Sequence, residues 1–116
     1  TGRSQTDPGR LSFKSFLEGR FFAMKIGLLY LDLHVPESGS LKHKRRYLQS
    51  LKKQIRNKYN VSVAEVGDHD LWQRINLAVA MVSLDAALID KVFSGVVRLT
   101  DEQSGLELLS ERREML

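Results

Sequence analysis

From Lys25 to Val35 the chain alternates. Leu29, Leu31, Leu33 and Val35 fall on one side, and Ile26, Leu28, Tyr30, Asp32 and His34 on the other. A period of two is that of a strand. Pro36 stops it, and Glu37, Ser38 and Gly39 form a loop. Ser40 is suited to cap the next helix, because its hydroxyl can accept from a free amide of the first turn. That helix is predicted to reach Lys58 or Tyr59. Its apolar stripe is Leu41, Leu48, Leu51, Ile55 and Tyr59, at spacings of seven, three, four and four. Asn60 is expected to end it in the left-handed conformation.

The pattern then returns to strands. Val61 to Val66 is one, and Gly67 to Asp70 a connection. Gln73 to Val82 is another, with Ile75, Leu77, Val79 and Met81 on one face and Asn76, Ala78 and Ala80 on the other. Ser83 is expected to cap a second helix with Asp85 in its first turn. Its buried side reads Leu84, Leu88, Val92, Val96 and Leu99, widened by Ile89 and Phe93. The chain turns at Ser104 and Gly105, and Leu106 to about Arg113 makes a fourth strand of weak alternation.

The order strand, helix, strand, strand, helix, strand predicts an α+β fold. It is the ferredoxin-like βαββαβ arrangement, an antiparallel four-stranded sheet with two helices on one face. The other face stays open. It would carry Ile26, Leu28, Tyr30, Ala78 and Ala80, an apolar surface that predicts a homodimer or other association there.

At 116 residues there is room for one core. Residues 24–116 are expected to form that single domain, beginning at Met24. Residues 1–23 read differently, polar and turn-rich and then carrying Phe13, Phe16, Leu17, Phe21 and Phe22. They are either a tag or start-site extension or a short amphipathic helix. With no cysteine, disulfides, thiolate metal sites and cysteine nucleophiles are excluded. This fits a reducing cytoplasm. No run approaches the roughly 18 apolar residues of a membrane span.

Charge changes the picture most. The formal net charge is only +4, but eight Lys and Arg residues lie between Ser40 and Ala64 with no Asp or Glu among them. Acids gather instead near the C-terminus, at Asp101, Glu102, Glu107, Glu111 and Glu114. Like charges on neighbouring helical turns repel, so folding alone does not call for such a stretch. Lys42, Lys44, Arg45, Arg46, Lys52, Lys53 and Arg56 are candidates for phosphate contact, the arginines adding planar two-pronged geometry. A solvated helix face is the plainer alternative, although such faces usually mix signs. Contact would run along the helix to backbone phosphates and select sequence weakly. Recognition through aromatics on the open sheet is disfavoured, since Tyr30 stands nearly alone there.

Three segments together resemble the small bacterial YlxP-like family, a domain of unknown function. They are Ser40-Leu41-Lys42-His43-Lys44-Arg45-Arg46, then Asn60-Val61-Ser62-Val63-Ala64-Glu65-Val66, then Asp68-His69-Asp70-Leu71-Trp72-Gln73-Arg74. The resemblance runs from Met24 to about the C-terminus. It implies a ferredoxin-like fold and a bacterial cytoplasmic protein. Because members are often encoded among translation and ribosome-maturation genes, it also implies a link to RNA or the ribosome. It brings no catalytic residues.

Other constellations carry less. Asp68, His69, Asp70, Trp72 and Arg74 form a candidate functional loop able to supply metal ligands or an oriented imidazole. The structural alternative is a turn, with Trp72 plugging the end of the sheet. His34 and Asp32 share a strand face and could join His43 and His69, but no metal-ligand spacing is present. No nucleophile elbow or glycine-rich phosphate loop occurs. The expectation is therefore a non-enzymatic RNA- or ribosome-associated protein with no cofactor and no metal. The alternatives are a metal- or small-molecule-dependent enzyme with a His/Asp site, and a structural or regulatory dimer that binds an acidic protein.

Overall fold

A computed structural model describes residues 23–116. The segment read as an extension, up to residue 22, lies outside the described residues. The strands are β1 (Lys25–His34), β2 (Ser62–Gly67), β3 (Arg74–Ser83) and β4 (Glu107–Met115); the helices are α1 (Leu41–Lys58) and α2 (Ala86–Asp101). The sheet order is β2-β3-β1-β4, with every neighbouring pair antiparallel. This is the ferredoxin-like α+β fold expected from the pattern.

The core lies between the helices and one sheet face. Leu29, Leu31, Leu33, Ile75, Leu77 and Val79 from the sheet meet Leu48, Leu51, Ile55, Ile89, Phe93 and Val96 from both helices. The helices cross where Gly95 is small enough to admit the Tyr59 ring; a Cβ there would collide with it. Gly105 takes φ +85° in the turn into β4, a conformation open to glycine at little cost.

Several local expectations are corrected. Tyr59, not Asn60, ends α1, in extended backbone with φ −132°, and its N–H donates to the Ile55 carbonyl. The chain passes almost directly into β2, so no left-handed cap is needed. Asp85, not Ser83, caps α2: its Oδ1 accepts from the amides of Ala87 and Leu88 at 2.9 and 3.3 Å, while the Ser83 hydroxyl accepts from the Asp85 amide. The buried stripe of α2 is accordingly rotated to Ile89, Phe93, Val96 and Thr100. Leu84 and Leu88 are exposed. The polar Thr100 hid this stripe in the sequence; its hydroxyl donates to the Val96 carbonyl at 2.8 Å.

The weak alternation of β4 also has a cause. Asp32 pairs with Ser110 and Leu33 with Leu108, so Leu109 is the extra residue of a bulge. In β2, Glu65 pairs with Leu77 and Gly67 with Asn76, which leaves Val66 as the extra residue there.

Candidate nucleic-acid interface

Helix α1 is built to show one face and bury the other. The Ser40 hydroxyl accepts from the His43 amide at 3.1 Å and fixes where the helix starts. At 3.6 residues per turn, Lys42, Arg45, Arg46, Lys53 and Arg56 fall on one outward arc with Lys52 at its margin. The first five are exposed and Lys52 is half-buried.

Among the described residues, no ion pair involves any of these six. Arg56 alone is tethered, donating to the Val63 carbonyl at 3.0 Å. The first turn contains no acid and carries Lys42 close to the positive end of the helix dipole. Neither internal pairing nor the dipole explains the cations at the N-terminal end of the stripe.

Lys44 is the exception among the expected contact residues, and its placement is a correction. It is only 2% exposed and points inward. Its Nζ lies 3.0 Å from Glu65 Oε2 and donates to the carbonyls of Asp68 and His69 at 2.5 and 3.3 Å. The sequence held a signal for this: Lys44 fills the gap of seven between Leu41 and Leu48. It stands three residues after Leu41 and four before Leu48, in the middle of the apolar stripe.

Beside the outward arc, His43, Arg46, Tyr47 and Ser50 of α1 face Gln103, Ser104 and Leu106 across a groove of about 330 Å³. Gln54 and Gln103 exchange amide hydrogen bonds at 2.8 and 3.1 Å and hold the segment after α2 to α1 next to it. Sequence reasoning missed Ser50, Gln103 and Ser104 as neighbours. Nothing local to either segment signals the other.

The Asp68–Gln73 loop does not gather a metal site. Asp68 adopts a left-handed φ of 56°, the conformation that Asp tolerates better than most residues. Trp72 does not plug the sheet end, which corrects the structural expectation; it is 54% exposed. Its neighbour Gln73 donates from its side chain to the carbonyls of Pro36 and Ser38, both at 3.2 Å.

The histidines are separated among different partners. His34 Nδ1 lies 2.6 Å from Glu107, His43 sits in the first turn of α1, and His69 Nε2 contacts the Glu65 carbonyl at 3.3 Å. Among the described residues, no group of three or more His, Cys, Asp or Glu is arranged to hold a metal ion.

The sheet face opposite the helices is divided. Ile26 pairs with Val82, Leu28 with Ala80 and Tyr30 with Ala78. The five residues expected on this face are all half-buried, and Val82 beside them is 60% exposed. The other half is polar. Arg74 grips both oxygens of Asp32 at 3.0 and 2.7 Å, and Asn76 donates to the same carboxylate at 2.9 Å. These bonds and the carboxylate charge hold the Arg74 guanidinium above its ordinary range. Arg112 lies 5.7 Å above the Tyr30 ring.

A family model described as a protein of unknown function, DUF503, matches residues 26–113. The uncharacterized protein YlxP of Bacillus subtilis (strain 168) is 33% identical over 89 residues, covering 77% of this chain and 97% of that protein. Among solved structures, the de novo designed protein Foldit4 is similar with a TM-score of 0.49 and 13% identity, over 78% of this chain and 96% of that one. Among the described residues, no helix is long and apolar enough to cross a membrane.

Proposed function

The chain belongs to the DUF503 family of proteins of unknown function, and from that premise we propose that it is a non-enzymatic RNA-binding protein. Lys42, Arg45, Arg46, Lys52, Lys53 and Arg56 are its phosphate contacts. One observation carries this: the outward arc of α1 holds six cations, none of them in an ion pair among the described residues. Such a row attracts a polyanion by releasing its counterions. It contacts backbone rather than base edges, so it discriminates sequence weakly. A place in the bacterial cytoplasm, at the ribosome or its RNA, belongs to the same proposal.

The test is RNA affinity measured against salt. With about six phosphates neutralised, log K falls against log salt with a slope near −5 on a duplex and near −4 on a single strand. Replacing Arg45 and Arg46 together with Ala should make that slope shallower by about 2 on a duplex. A folded protein that binds no RNA at low salt sinks the proposal.

The open sheet face supports a second element. We infer that Ile26, Leu28, Tyr30, Ala78 and Ala80 meet another subunit. The exposed Val82, opposite Ile26 in the register, extends the apolar patch to the sheet end. Sedimentation that finds only monomer at high protein concentration rules this out.

A further inference from the structure

We propose that Trp72 is a stacking platform for an unpaired nucleobase, so that the basic arc, which takes either form through its phosphates, holds a single strand more tightly than a duplex. This rests on the RNA-binding proposal and narrows it. Trp72 is the only tryptophan in the chain. It is 54% exposed beside Leu71 at 50%, and with Asp70, Gln73 and Arg74 the two line a shallow depression of about 420 Å³. Their exposure gains the fold nothing, because apolar surface left in water gives no burial energy.

The backbone beneath Trp72 is held from several sides. Lys44 donates to the carbonyls of Asp68 and His69. The Leu71 amide donates to the Asp68 carbonyl at 3.1 Å, and the Val35 amide to the Gln73 carbonyl at 2.9 Å. The Gln73 side chain ties the loop to Pro36 and Ser38. A large ring therefore stands in solvent on an ordered loop, and little further ordering cost falls on binding.

The loop's position supplies the link to the charges. Its ties run to the first turn of α1 and to the segment that leads into the Ser40 cap. That is the end of the helix at which Lys42 and Arg45 begin the cationic arc. In this proposal the phosphates follow the arc and a base beyond its N-terminal end stacks on the Trp72 ring. Stacking on an aromatic ring needs a base that is already unpaired, which a duplex does not offer. Arg74, the one cation of the depression, is engaged with Asp32, so the depression itself is not a phosphate pocket.

A single tryptophan makes the test direct. Trp72 emission is followed while the full chain is titrated with oligouridylate, oligothymidylate and an RNA duplex, each labelled so that binding is read separately by anisotropy. Both single strands should quench Trp72, while the duplex binds through the arc without quenching. W72L should weaken single-strand binding by about 5- to 150-fold. It should leave duplex affinity and the salt slope unchanged, and W72F should retain most of the affinity.

Single strands that bind with no change in emission, and bind W72L as tightly, overturn the stacking role and leave the RNA proposal standing. Emission that shifts with protein concentration alone assigns Trp72 to self-association and also overturns it. Absence of binding to all three nucleic acids removes both proposals.

Discussion

Lys44 Nζ lies 3.0 Å from Glu65 Oε2 and joins the first turn of α1 to β2 beneath the Asp68–Gln73 loop. The ammonium is nearly sealed from water and the carboxylate largely so, at 2% and 16% side-chain exposure. Removing one partner of a buried pair leaves the other uncompensated, whereas replacing both by apolar groups is often close to neutral.

K44M should therefore destabilise the protein by about 3 kcal/mol in urea unfolding, and K44M/E65L should recover much of that loss. The single substitution also removes the donor to the Asp68 and His69 carbonyls, so amide exchange in the loop should quicken. A K44M protein as stable as the parent, with an unchanged loop, would contradict the assignment.

The packing of Tyr59 on Gly95 makes a second prediction with opposing terms. Alanine in a helix interior is favoured over glycine by about 1 kcal/mol. Overpacking a tight crossing costs about 1–3 kcal/mol. Because the Cβ would meet the Tyr59 hydroxyl and the rigid ring directly behind it, the clash wins. G95A should lower stability by about 1–2 kcal/mol. In a Y59L background the same substitution should be neutral or stabilising, and additive effects in this double-mutant cycle would refute the contact.

Arg74 and Asp32 lead to a prediction about pH. Folding raises the Arg74 pKa through its hydrogen bonds to Asp32 and that residue's charge. A cation whose pKa rises on folding contributes stability that is fully present below the unfolded value. That contribution is lost only as pH climbs through the folded value. For arginine both lie far on the alkaline side of neutral. The stability difference between wild type and R74A should thus stay flat from about pH 6 to about pH 10. A difference that shrinks across that window, measured by thermal unfolding at each pH, would show that another titrating group holds the contact.

Much of the fold is legible in the chain, since its signals are local. β1 alternates without a break because both its neighbours pair with it in regular register over Gly27–Asp32. Ser40 caps α1 as its position before the stripe implies. Legibility fails where a ladder slips or a polar residue takes an apolar place. The bulge at Leu109 blurs β4, and Thr100 masks the true stripe of α2. The candidate site divides along the same line. The outward arc follows from helical period, but the groove between Ser50 and Ser104 joins residues 54 positions apart.

The sequence by itself determined the six elements, their order, the two-sided character of α1 and the family, because period, capping and motif order are properties of contiguous residues. Tertiary structure alone decided which partners meet an inward charge and which aromatics stay in solvent. Lys44 and Lys42 are two residues apart with the same chemistry. One is sealed against Glu65 and the carbonyls of Asp68 and His69, and the other faces water. Trp72 carries the largest aromatic ring of the chain, yet it stands exposed while its neighbour Gln73 ties the loop to Pro36 and Ser38. The physical reason is that burial depends on what distant segments bring to a side chain, here Glu65 and the loop after β2.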